Sequence, residues 1–539
     1  MDDSTGKLAF IFLVAVVVTV VAAALVKVRY RRAMGELMRA PLSVALPVTP
    51  PASASTLANG AATSRSAPRV VTAAENHLAA VRLSALIVGL SLLVSASAAT
   101  LQVTSMFPDE PFSVPRASVL TLIHLWPFIP ALGMVWRWSG LRILGALAGW
   151  CVLCFAVALW RSITPMPLQI LLFLAIEIGP ALVVIAGICL LPSTRAIAPW
   201  LLPPVLGFVW VSMTGLDLLG WLVTQRSAFL SALPAWLPVH VVFVLFAVLP
   251  WLLAWWPLKA FAHLLARAYV RKDLSELGVL FTAVWAISLF HQSLGSASNR
   301  GVIGAVMLLP LGWIVLAFVV ARGRRSTAAG RPPTLLVLRV FQHDQDVQRL
   351  FDAVIERWRL TGNTVLIAGT DLVDRTIDAD EVFAFLDRRL AARFIGSPAD
   401  VERRLADFDL QRDDDGRYRV NECYCHDTAW KAALAALVER SDVVLMDLRG
   451  FQAHNAGCVH ELSALARASA LQRVVVLVDG ATDRVAADAA AQGAPADRFV
   501  HIDAGRLGTR ALDKAVLASL FAPGPNAAAP QGRIEGLAR

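Results

Sequence analysis

Residues able to do chemistry fall into two sets along this chain. In the C-terminal part, Cys423-Tyr424-Cys425-His426, with Cys458 and His460, are metal-ligating types, but their C-x-C-H spacing is not a zinc spacing and no metal is expected. His426 beside Asp427 has the make-up of a base, although a single His more often serves structure. The runs Phe341-Gln342-His343-Asp344, Gly369-Thr370-Asp371 and Asp447-Leu448-Arg449-Gly450-Phe451 each follow an apolar run and carry polar groups, a Gly and an Arg. In the apolar part, His124, Glu177, Asp217, His240 and His291 are ionisable residues inside hydrophobic stretches. Each is costly in lipid, so each is a functional candidate. Glu177 precedes Gly179-Pro180 and Asp217 closes Thr214-Gly215-Leu216-Asp217; a proton or ion path would use both. His240 and His291 lie near segment ends, which favours an interfacial place for them.

The elements that must position the first set begin after Arg331-Pro332-Pro333. Strands are expected at Leu335–Phe341, Val365–Ala368, Val443–Leu448, Val474–Val478 and Phe499–Ile502. Near-continuous apolar runs of this kind mark parallel strands covered on both faces. Helices are expected near Asp346–Leu360, Ala379–Phe394, Thr428–Arg440, Cys458–Ala470, Arg484–Ala491 and Leu507–Leu520. The alternation implies an open, doubly wound α/β sheet, and five strands with right-handed crossovers favour a flavodoxin-like order. Asp413-Asp414-Asp415-Gly416, between Phe408–Leu410 and Tyr418–Val420, predicts an inserted β-hairpin. Ligands bind such sheets beyond the carboxyl ends of the strands, so the three polar runs form one rim for a nucleotide-sized ligand. Neither a GxxxxGK[ST] nor a GxGxxG follows a strand, which argues against P-loop and Rossmann chemistry.

The segment Ser441–Phe451, followed by Asn455-Ala456-Gly457-Cys458-Val459-His460-Glu461-Leu462, resembles the third strand and following helix of TIR domains. There the helix opens with a Trp-Cys-x-x-Glu-Leu motif; Gly457 stands here in place of the Trp. The resemblance covers most of Thr334 to about Asp479 apart from the insertion, with Asp371 to Leu390 as the loop and helix that close the cleft. It implies cleavage of the nicotinamide–ribose bond of NAD, with Glu461 as the key carboxylate and Phe341, Asp371 and Arg449 lining the cleft. Cleavage develops oxocarbenium character at the ribose, which a carboxylate stabilises. A Glu in the first turn of a helix also complements the helix dipole without any catalytic role.

The remainder of the chain is built for lipid. Of 539 residues, 57% are hydrophobic and 17% charged, against about 25% charged in a soluble chain. A helix needs about 20 apolar residues to cross the hydrocarbon core. Nine stretches qualify: Leu8–Val26, Ser84–Val103, Ala117–Trp136, Leu141–Trp160, Leu168–Leu191, Trp200–Val223, Trp236–Trp256, Leu277–Gln292 and Val302–Ala321, of which the eighth is the shortest. The first reads as a signal-anchor, since most of its positive charges follow the apolar run. Basic residues cluster after the first helix, before the second, at Arg137 and Arg142, at Arg195, at Lys259–Lys272 and after the ninth. The positive-inside rule puts those loops, and the C-terminal domain, in the cytoplasm and the N-terminus outside. The net charge of +9 is therefore read as topology signal, with only six Lys among 49 basic residues, and no nucleic-acid partner is expected. Pro257–Leu274 reads as a basic amphipathic stretch lying along the cytoplasmic surface.

The division expected is a signal-anchor helix over 1–33, a disordered Pro/Ala/Ser linker over 34–74 and a polytopic domain of about eight helices over 75–325. A linker at 326–333, a cytosolic α/β domain over 334–523 and a disordered tail over 524–539 follow. The expectation is a multi-pass protein of the inner membrane with a TIR-like, nucleotide-directed signalling or stress-response domain that self-associates. No resident cofactor is expected, and NAD enters as substrate. A non-enzymatic sensor or scaffold, and a transporter with a regulatory domain, are the alternatives.

Overall fold

The computed structural model describes residues 21, 24–37, 67–106, 111–162, 166–179, 182, 185, 207, 211–212, 214–216, 218–225, 236–323, 330–339, 345–368, 384–385, 388–426, 428–495 and 497–522. The C-terminal part forms a sheet of seven parallel strands: β1 (Thr334–Arg339), β2 (Asn363–Ala368), β3 (Phe394–Ile395), β4 (Val420–Cys425), β5 (Val443–Asp447), β6 (Arg473–Val478) and β7 (Phe499–Asp503). Their spatial order is β3-β4-β2-β1-β5-β6-β7. Without β3 and β4, the five expected strands stand in the flavodoxin-like order, and the chain reverses direction across the sheet between β1 and β5.

Strand residues alternate between two cores. Leu336, Val444, Met446 and Val476 face the helices Trp430–Arg440 and Ala456–Arg467. Leu335, Val337, Leu445 and Leu477 face Gln345–Trp358 and Thr509–Leu520. Burial on both faces explains the unbroken apolar runs, and each such side chain contributes about 1.5–3 kcal/mol. Helical residues 24–37 pack on the second face, where Tyr30 and Met34 are fully buried and Tyr30 meets Phe385 edge-on at 5.9 Å.

The insertion differs from the expected hairpin. Its turn is present, with Gly416 at φ +82° and the Asp413 N–H donating to the Arg417 carbonyl at 2.8 Å. Among the described residues the arms form one antiparallel bridge, Arg412–Tyr418, and the second arm runs on into β4, parallel to β2. Asn421 gives the reason: its side chain accepts from Asp409 N at 2.7 Å and donates to Asp409 O at 2.8 Å, so side-chain bonds replace a ladder.

Among the described residues, four helices are long and apolar enough to cross a membrane: Ala73–Ser105, Gly140–Arg161, Val239–Tyr269 and Gly304–Arg322. The pair Val114–His124 and Phe128–Val135, bent by 42° at its break, is a fifth if it crosses as one span. The stretch expected from Leu277 is apolar only over Glu276–Phe290. Of the Leu8–Val26 stretch residues 21 and 24–26 are described, of Leu168–Leu191 residues 168–179, 182 and 185, and of Trp200–Val223 residues 207, 211–212, 214–216 and 218–223. The expected surface stretch Pro257–Leu274 is no separate element, because helix Val239–Val270 continues through Pro250 and Pro257. At about 1.5 Å per residue its 32 residues span about 48 Å, well beyond a core of about 30 Å. The surplus carries Tyr269 to the α/β domain, where Arg419 stacks on its ring at 4.2 Å.

Candidate functional site

The rim at the carboxyl ends of the strands is the first place to look for a site. β5 ends at Asp447, and the backbone then turns through Gly450 at φ +69°. Arg449 folds back on Asp447, with Nη2 to Oδ2 at 2.8 Å and Nε to Oδ1 at 3.0 Å. The Gly450 N–H donates to Asp479 Oδ1 at 3.0 Å, which ties the β5 turn to the end of β6. Burial raises the Asp479 pKa, and the hydrogen bonds donated by Gly450, Thr482 and Ala481 outweigh it, so the carboxyl sits below its ordinary value. In this part of the rim Arg449 pairs with Asp447, and Asp479 gathers the N–H groups of the turn.

Glu461 is the sixth residue of helix Ala456–Arg467, not in its first turn, so the helix dipole accounts for little of its placement. The residue is partly exposed, yet Oε2 is sealed from solvent and finds no hydrogen-bond partner among the described residues. Burial pushes its pKa up to about 8. Burial thus favours the protonated form of this carboxyl near neutral pH. Beside it, burial and the Glu461 charge push the Cys458 thiol up to about 12, which keeps it out of thiolate chemistry. His460 meets Trp430 edge-on at 5.3 Å.

Of the other expected site residues, Phe341 and Asp371 lie outside the described residues. No hydrogen bond or ion pair joins Arg449 to Glu461 among the described residues. Cys423, Cys425, His426, Cys458 and His460 assemble no metal-ligand group among those described. Asp427, Asp217 and the His291 side chain are outside the description, and His240 is exposed at the start of its helix. Glu177 and His124 meet through Gln102.

A second constellation, unmarked by any motif, lies where the bundle meets the α/β domain. Glu356 receives Arg359 at 2.7 Å, Arg137 at 3.2 Å and Arg417 at 3.3 Å. Burial raises its pKa, and the three guanidiniums outweigh that and hold the carboxyl well below its ordinary range. Around it Arg359 approaches Glu276 at 3.8 Å, Lys272 pairs with Asp409, and Arg322 reaches Asp414 at 3.5 Å. Asn76 donates to Thr361 Oγ1 at 2.9 Å and Arg357 lies over the Trp136 ring at 4.9 Å. The signal available in sequence was the alternation Arg417-Tyr418-Arg419 beside three Asp, which suits paired charges more than a solvated turn. The bundle ends that make these contacts are those whose basic residues the positive-inside rule puts on one side. Compared with family models, curated proteins and solved structures, the chain matches none.

Proposed function

We propose that the chain is a membrane-embedded signalling or stress-response protein whose α/β domain is TIR-like, lies in the cytoplasm and acts on a nucleotide under control of the bundle. The buried ionic junction carries this reading. Charges fixed between bundle loops and the helix after β1 transmit a shift of the bundle to the domain, because a buried pair cannot be parted without leaving an uncompensated charge.

The reaction we assign is hydrolysis of NAD. Water attacks the ribose C1′, the bond to nicotinamide breaks with its electron pair leaving on nicotinamide, and one proton goes to solvent. Glu461 supports it as the carboxyl next to the developing positive charge. Nicotinamide release from NAD by the full-length chain in lipid nanodiscs tests this, with Glu461→Gln expected to lower the rate about a hundredfold or more. The neutral state of Glu461 favours a second reading, a binding or assembly module, because a neutral acid does not stabilise a cation. Nucleotide binding without NAD loss at any pH selects that second reading.

A further inference from the structure

Four polar side chains from four helices meet inside the bundle. Gln292 Nε2 lies 2.7 Å from His124 Nδ1, and His124 Nε2 lies 2.7 Å from Gln102 Oε1. Gln102 Nε2 donates to Glu177 Oε1 at 3.0 Å. His124 is fully buried and Gln102 and Gln292 nearly so, while Gln292 Oε1 is buried without a partner among the described residues. Among the described residues no Lys or Arg pairs with Glu177, and His124 Nε2 lies 3.9 Å from its Oε1. Of the other packed elements, Gly140–Arg161 offers Cys154, whose thiol donates to Leu122 O at 3.8 Å, and Phe128–Val135 has no titratable residue. His124 ends its helix at the 42° break.

The order of donors has a direction. With Gln292 giving a hydrogen to Nδ1, the ring proton sits on Nε2 and points to Gln102, whose amide points to an ionised Glu177. The reverse direction is equally well formed. There a protonated Glu177 donates to Gln102, the Gln102 amide donates to Nε2, and Nδ1–H donates to Gln292 Oε1, the atom left unpartnered in the first setting. An isolated carboxylate without a cation is costly in hydrocarbon, which favours uptake of the proton.

We propose that Gln102, His124, Glu177 and Gln292 form an intramembrane proton-binding site with two hydrogen-bond directions, Glu177 being the acceptor. One proton from the aqueous phase forms an O–H bond on Glu177, the His124 ring proton moves from Nε2 to Nδ1, both amides turn over, and no electron is transferred. The site sits at the break of the helix pair that leads to Arg137, which pairs with Glu356 at 3.2 Å. Proton uptake thereby bears on the junction with the α/β domain.

Infrared difference spectra of the full-length chain in liposomes, recorded across pH in sodium-free and sodium-containing buffer, test the site. A carboxylic acid band that titrates, disappears in Glu177→Gln and changes its midpoint in His124→Gln is expected. Glu177→Gln keeps a donor toward Gln102 and so imitates the protonated state. Identical titrating bands in the unsubstituted chain and Glu177→Gln overturn the proposal, as does an unmoved midpoint in His124→Gln. A band that appears only when sodium is withdrawn overturns it in favour of a metal-cation site.

Discussion

Arg137, at the end of the bent helix pair, reaches Glu356 on the helix after β1 across 3.2 Å. The backbone of Arg137 is left-handed, with φ +50°, a conformation that a non-glycine residue holds only when its surroundings fix it. Here the end of Phe128–Val135 supplies them: the Trp138 N–H donates to Gly133 O at 2.8 Å and the Arg137 N–H to Met134 O at 3.4 Å, the left-handed closure of a helix C-terminus. Bundle and domain are thus joined through an ion pair made at a helix end.

Replacing Glu356 leaves Arg137, Arg359 and Arg417 facing one another, and Glu356→Gln should cost about 3–5 kcal/mol. Its folded pKa is depressed, so its contribution is complete above the unfolded value of about 4.3 and is lost as pH falls through the folded value. Thermal unfolding of the full chain in detergent should show a lower Tm for Glu356→Gln at neutral pH. The two curves should converge in acid. A gap that is constant with pH would count against this ion cluster as the source.

Glu461 has the opposite sign. Its pKa is raised, so between about 4.3 and 8 the folded state holds a proton the unfolded state has lost. Stability then falls with rising pH, by about 1.4 kcal/mol per unit at most, and levels off above about 8. Glu461→Gln should flatten that slope. If the ionised form does the chemistry, nicotinamide release should rise with pH up to about 8, and the slower release of the variant should lack that rise. A rate that falls over the same range would assign Glu461 to work as the neutral acid.

The α/β core was readable because its strands are buried on both faces: Val443–Asp447 and Arg473–Val478 stand within a residue of the apolar runs that announce them. β4 was not, because Asn421 and Glu422 interrupt its apolar character, and Asn421 is satisfied by Asp409, a partner that only the fold supplies. In the same way Glu177 and His124 stood out as ionisable residues, but the neutral Gln102 and Gln292 that join them carry no such mark. Glu356 reads as one more acidic residue on an amphipathic helix until Arg137 and Arg417 arrive from distant parts of the chain. Charge partners across elements are a property of packing, and periodicity says nothing of them.

Two glycines separate backbone strain from crowding. At Gly416, φ is +82° and an added Cβ meets nothing within 4 Å, so Gly416→Ala should cost only the left-handed penalty of about 1 kcal/mol. At Gly362, an added Cβ would lie 2.6 Å from Pro333 O and 2.7 Å from the buried Trp358 Nε1. That nitrogen donates to Asn363 O at 2.8 Å, so Gly362→Ala should displace a core hydrogen bond and lower Tm several times more. Equal shifts in the two variants would contradict the packing around Trp358.

The proposed sidedness rests on charge and can be tested directly. Arg161 is exposed at the end of Gly140–Arg161 away from the α/β domain, and Arg403 is exposed on that domain, with 65% of its side chain accessible. The 22 residues of that helix span about 33 Å, enough to put its two ends on opposite sides of a bilayer. With the α/β domain in the cytoplasm, a membrane-impermeant maleimide should label Arg161→Cys in intact cells and Arg403→Cys only after permeabilisation, relative to the unsubstituted chain. The reverse pattern would place the domain outside. It would also remove the NAD reading, because the ionic junction holds the candidate site on the same side as Arg403 and a domain outside has no cytoplasmic nucleotide to act on.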